Sequence, residues 1–141
     1  MTATTRTDLD NVHLAHGCAS GSLAPYRGLC LVVEPVSLEA ALDLARAYGK
    51  AQSNDYHVHR VTVSGKFVVH DVDVDVRAAL DGEGFPGDTA DELDRYQALG
   101  FDAIRFRDAD PSGREHYTLR LVSRRAVEAA TSIEVLTADD F

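Results

Sequence analysis

HLAHGCASGSLAPYRGLCLVVEP, residues 13–35, contains two unlike strand signals. In the first, Val12–His16, period-2 alternation puts Val12, Leu14 and His16 on one side, so an apolar face ends in an imidazole followed at once by Gly17. In the second, Gly28–Glu34, GLCLVVE is apolar on both sides, as expected of a strand covered on both faces. An imidazole that closes a buried face, next to a residue without a side chain, marks a corner where a ligand can reach the backbone.

Working outward, SLEAALDLARAYG reads as a helix: Ser37 caps its start, Gly49 ends it, and Leu38, Ala41, Leu42, Ala45 and Tyr48 form one apolar stripe. YHVHRVTV alternates as a strand, and SGK turns it into FVVHDVDVDV. The bend DGEGFPGD precedes a helix opening on the capping pattern Thr89-x-x-Glu92 and carrying Leu93, Tyr96 and Leu99. GFDAIRF, the turn DADPSG and EHYTLRLV read as a hairpin, SRRAVEAA as a short helix and SIEVL as a last strand. Residues 1–10 are polar and expected to fray; residues 11–141 form one domain. Strands clustered at both ends with helices between them predict an α+β domain on a bent or split antiparallel sheet.

Bulk composition narrows the function. Hydrophobic residues make up 45% and charged residues 26%, the balance of a soluble globular chain. No apolar run reaches membrane-spanning length, which points to the cytoplasm and away from a membrane partner. A net charge of −9 argues against nucleic acid as a partner. It suits a small-molecule or protein substrate, or an acidic protein that occupies a nucleic-acid groove on another molecule. Cys18 and Cys30 are too few for a disulfide framework and read as thiols.

In EHYTLRLV, Glu115 shares a face with Tyr117, Leu119 and Leu121, so a carboxylate opens an apolar face as His16 closes one. On antiparallel neighbours the two would meet at one sheet edge, a histidine and a carboxylate at a shared cleft. His13, His16, Cys18 and Cys30 have zinc-binding chemistry but no finger spacing, and no metal is expected. His57 and His59 lack the downstream glutamate of a cupin strand and read as a solvent face. Asp71, Asp73 and Asp75 fail the calcium-loop pattern, with Val76 and Gly82 where glycine and an acid are needed; they read as a solvated edge that blocks strand addition.

HGC after a strand, GLCLVVEPVSLEAALDLARAYG, and LGFDAIRF…GREHYTLRLV occur in the order and spacing of the core elements of His-Tyr-Glu ADP-ribosyltransferases, and the chain resembles that superfamily over residues 12–122. The resemblance implies a mono-ADP-ribosyltransferase that uses NAD as co-substrate to modify a protein target, as a monomer or weak homodimer. Toxins and some phage-encoded anti-CRISPR proteins belong to the same superfamily. It further implies Glu115 as the catalytic acidic group, His16 as the anchor of the adenosine-side ribose, Gly17 as the point of close approach to the nicotinamide amide, and Tyr48 as the ring stacked on nicotinamide. Tyr26 would supply the aromatic wall absent from LCLVV. Two alternatives stay open on the same fold: a non-enzymatic acidic interaction protein, and an RNA 2′-phosphotransferase, which the lack of clustered arginines disfavours.

Overall fold

The computed structural model describes residues 4–9, 12–33 and 38–141, with only the backbone of 4–8. Among these residues eight strands form one sheet: β1 (Thr4–Asp8), β2 (Leu14–Cys18), β3 (Cys30–Val33), β4 (His57–Val63), β5 (Lys66–Val72), β6 (Ala103–Ala109), β7 (Glu115–Leu121) and β8 (Ala130–Thr137). Their order across the sheet is β1-β5-β6-β7-β3-β2-β4-β8. The helices are α1 (Leu38–Gln52), the single turn α2 (Val76–Ala78), α3 (Ala90–Ala98) and α4 (Arg124–Ala129). This is an α+β arrangement of helices on a mixed sheet. The capping role read for Ser37 and the strand end at Glu34 lie outside the described residues.

The sheet buries its two faces differently. One carries the main core, in which Leu14, Leu31, Val61, Val63, Phe67, Val69, Leu119 and Leu121 meet Ala126 of α4. Because β4 and β5 lie near opposite ends of the strand order yet share this core, the sheet curls around it. On the other face α1 covers Ala15, Val32 and Val58 with Ala41, Leu44 and Ala45. Separately, α3 places Leu93 over Ile104 and Phe106. Between these two helical covers the middle of the sheet is open.

Four sequence expectations change. SGK does turn the chain, with Gly65 at φ 134°, but β4 and β5 do not pair; β4 lies between β2 and β8, β5 between β1 and β6. The two strands diverge from the turn instead of closing a hairpin. β5 and β6 run parallel, because the helical segment between them returns the chain to the same end of the sheet, so the sheet is not wholly antiparallel. Residues 4–8, expected to fray, pair antiparallel with β5, which lacks another partner on that side. Finally, α1 runs past Gly49 to Gln52, so Gly49 does not end the helix.

Gly49 instead serves close approach. A Cβ there would lie 3.1 Å from Tyr56 Cβ and 3.3 Å from Cys18 N. Gly17 is tighter still: its Cβ would fall 1.7 Å from Ala45 O and 2.8 Å from Gly49 N. The two glycines let α1 lie directly on β2. The turn and cap readings hold elsewhere. Thr89 accepts from Glu92 N at 3.2 Å, and β6 and β7 form the expected hairpin. Its turn is tied by Asp110, which accepts from Ser112 N and Arg114 N, each at 2.9 Å.

Candidate functional site

β2 and β3 share only two registered pairs, Leu14/Val33 and Ala15/Val32. Beyond them the strands part, and His16 spans the seam, its Nδ1 3.0 Å from Cys30 O. At this seam, between α1 and the segment carrying Phe85, lies a cavity of about 390 Å³. Its walls include His16 and Gly17 of β2, Tyr48 and Gln52 of α1, and Tyr26 from the loop before β3. Its floor is Cys30, Asp108, Thr118 and Arg120.

The floor follows from strand alternation. On β6, Ile104, Phe106 and Asp108 share a face; on β7, His116, Thr118 and Arg120 are registered against them in reverse order. Ile104 and Phe106 are buried under α3, and Asp108 continues their face into the open gap. Asp108 Oδ2 accepts from Thr118 Oγ1 at 3.0 Å and Oδ1 from Ala109 N at 2.7 Å. These two bonds fix the carboxylate in one orientation. Arg120 pairs with Ile104, four residues from Asp108, so the Cα positions of acid and base lie roughly 13 Å apart along the strands.

Tyr48 Oη donates to Ala109 O at 2.9 Å and lies 2.8 Å from Nε2 of the buried His116, whose ring meets the tyrosine edge-on. Burial, and then the carboxylates of Asp108 and Asp110, push the Tyr48 phenol well above its usual range, so it is a hydroxyl at any physiological pH. Burial likewise raises the Cys30 thiol, which the Arg120 guanidinium only partly offsets. His16 is held below the ordinary imidazole value by burial, against the bond to Cys30 O and with His59 lowering it further. The acidic and basic side chains of the cavity wall are Asp108 and Arg120.

Of the five residues singled out from the sequence, His16, Gly17, Tyr26 and Tyr48 line this one cavity. Glu115 does not. It opens the other face of β7, opposite Ala109, more than half exposed and 3.8 Å from Arg107 Nε. The alternation that set Glu115 beside Leu119 and Leu121 is correct, but that is the main-core face, and the cavity lies on the other. The role read for Gly17 changes as well: its missing side chain makes room for Ala45 O of α1, not for a ligand.

Asp108 was missed, although the signal used for His16 applies to it. It ends an apolar alternation, Ile104-x-Phe106-x-Asp108. Two other readings are corrected. His59 is fully buried, with Nδ1 2.9 Å from Ser132 Oγ and Nε2 2.9 Å from Ser20 O, so its face is not solvent. Asp71 holds Arg105 at 2.7 and 2.9 Å within an interior strand, while Asp75 caps α2 by accepting from Ala78 N, so the run is no bare edge.

Among the described residues no three His, Cys, Asp or Glu side chains gather as a metal site, and no helix is long and apolar enough to cross a membrane. The fold and cavity define a mixed-sheet α+β domain with one amphipathic hollow at a split between strands. No family model, curated protein or solved structure matches the chain.

Proposed function

We propose that this domain is an ADP-ribosyltransferase-like enzyme that binds NAD in the cavity and transfers ADP-ribose to a protein, with Asp108 in the acidic role. One observation carries the reading: His16, Gly17, Tyr26 and Tyr48, scattered over 33 residues, line one hollow that also holds an oriented carboxylate. A volume of about 390 Å³ is within the roughly 300–1,000 Å³ of small-ligand sites and suits the nicotinamide-ribose half of NAD. The seam between β2 and β3 would be the split of the sheet that such a fold requires.

In the reaction the bond between ribose C1′ and the nicotinamide nitrogen breaks, its electron pair leaving with nicotinamide. An acceptor lone pair forms the new bond at C1′, and the acceptor's proton goes to solvent. Positive charge develops on the ribose, as in glycoside cleavage. Asp108 supplies fixed negative charge at the cavity floor, already held by Thr118 Oγ1 and Ala109 N, so no reorganisation is needed as the charge appears. Tyr48 and Tyr26 offer aromatic faces to the nicotinamide, and the neutral His16 holds the two strands at the rim.

The test is incubation with NAD labelled in the adenylate and a cell lysate, together with release of free nicotinamide. The wild-type chain should label a protein and release nicotinamide, and Asp108→Asn should do neither while keeping its circular dichroism spectrum. Full turnover by Asp108→Asn would overturn the assignment.

A second reading draws on residues 71–94, which carry nine carboxylates and one arginine, Arg77, and which lend Phe85 to the cavity wall. On it the domain is a non-enzymatic acidic protein that engages a basic partner. It would be distinguished by no NAD turnover in any condition, with partner binding that weakens steeply with salt.

A further inference from the structure

We propose that Arg120 is an anion-recognising residue of the cavity, so that the site takes a nucleoside bearing a phosphate, seated with the phosphate at Arg120 and its ribose-linked ring toward Tyr48 and Asp108. This rests on the NAD-binding reading and adds to it the orientation of the ligand and the group that selects it.

Arg120 is the one cationic side chain on the cavity wall, and only 13% of it is exposed. A charge withdrawn from water costs several kcal/mol unless it is well paired, and an apolar residue would fill the same floor without that cost. The pairing it has is partial. Nε donates to Gly28 O at 3.2 Å and lies 3.0 Å from Cys30 Sγ. Nη1 donates to Pro86 O and, at 3.0 Å, to Asp88 Oδ1. Among the described residues no hydrogen bond uses Nη2. The guanidinium is packed over the Phe106 ring, with Cζ 5.6 Å from its centroid, so its plane is set before any ligand arrives. A preset guanidinium whose Nη2 is unused, beside an Nη1 held in part by the half-exposed Asp88, still has N–H donors to offer a phosphate oxygen.

The rest of the floor sets the direction. Asp108 lies four residues along the floor from the position opposite Arg120 and repels a phosphate, while Thr118 between them offers only a hydroxyl already given to Asp108. An anion is therefore directed to the Arg120 end and an incipient cation to the Asp108 end. Asp88, nearly half exposed, is the internal competitor: it holds the edge of Arg120 that a phosphate also addresses. Neutralising Asp88 therefore favours the phosphate without touching the floor.

Calorimetry on the full chain tests this with nicotinamide riboside, nicotinamide mononucleotide, NAD and inorganic pyrophosphate. The mononucleotide should bind at least about tenfold more tightly than the riboside, a difference of about 1.4 kcal/mol. Arg120→Gln should bring the mononucleotide down to the riboside's affinity and abolish pyrophosphate binding. Asp88→Asn, which leaves the floor intact, should tighten the mononucleotide severalfold and leave the riboside unchanged. Equal affinities for riboside and mononucleotide in the wild type, or no response to Asp88→Asn, would overturn the role of Arg120 while leaving NAD binding standing. Pyrophosphate binding lost in Arg120→Gln, with none of the three nicotinamide compounds bound, would keep the anion site and remove the NAD reading. Failure of all four to bind would remove both.

Discussion

The hairpin β6–β7, residues 103–121, has two faces built from alternating residues, and they differ in kind. On the cavity face Asp108 is tied to Thr118 Oγ1 at 3.0 Å and Arg120 to Gly28 O at 3.2 Å. At the turn end of the other face Glu115 stands 3.8 Å from Arg107 Nε, both more than half exposed, with Arg107 also over the Tyr117 ring. Both faces carry an acid and a cation. Only one pair is shielded from water, and shielding is what makes a charge able to act on a ligand instead of on its own hydration shell.

Four perturbations sharpen or break this contrast. The largest effect is expected on catalysis: Asp108→Asn should lower NAD cleavage at least about 100-fold, the usual cost of removing a preorganised electrostatic group. Glu115→Gln should leave the rate unchanged in the same nicotinamide-release assay; a comparable loss there would erase the distinction between the faces. Next is the packing that closes the cavity wall. Gly17→Ala drives a Cβ to within 1.7 Å of Ala45 O, and because that contact is backbone to backbone it should cost about 3 kcal/mol in urea unfolding.

A smaller contrast compares two tyrosines. Tyr48→Phe removes the hydroxyl between Ala109 O and His116 Nε2 and should destabilise by about 1–3 kcal/mol, since it leaves buried groups unmatched. Tyr117→Phe, on the open face, should change stability by no more than about 0.5 kcal/mol. Equal melting shifts for the two would contradict the difference in enclosure.

The smallest effect is on pH. The folded chain lowers the affinity of His16 for protons, so the unfolded chain protonates first as pH falls. The stability due to neutral His16 is complete above the ordinary imidazole value, about 6.5, and declines as pH drops toward the lowered folded value. A second decline follows below about 4. Burial alone would raise the Asp102 carboxyl, but Arg125, Val68 N–H and the Ser123 hydroxyl hold it below the usual range, so its contribution is lost as pH falls through that depressed value. Urea midpoints from pH 7 to 5 should fall in the wild type and stay level in His16→Gln.

Much of the site was legible because it obeys local rules. His16 and Asp108 each terminate an alternating apolar face, and Tyr48 lies on a helical stripe that turns it toward the sheet. The reading failed where two faces of one strand were both candidates. In EHYTLRLV the apolar set Tyr117, Leu119 and Leu121 marks the core correctly, and the intervening His116, Thr118 and Arg120 look like a solvent face. They are instead a cavity floor, because α1 covers one part of that face and α3 another, leaving an enclosed gap that no single strand encodes. His57 and His59 were misread for the same reason, since the loop carrying Ser20 closes over their strand.

The amino-acid order alone indicated most of the strands and helices and the cap at Thr89, since these depend on periodicity and side-chain chemistry within a few residues. Tertiary structure alone decided that β4 and β5 part company, that one strand pair runs parallel, that Gly17 yields to a helix and not to a ligand, and that Asp108 and not Glu115 faces the hollow. Each of those outcomes depends on which surface a distant element covers. Coverage by α1 and α3 is what places Asp108 in a hollow and leaves Glu115 on the surface.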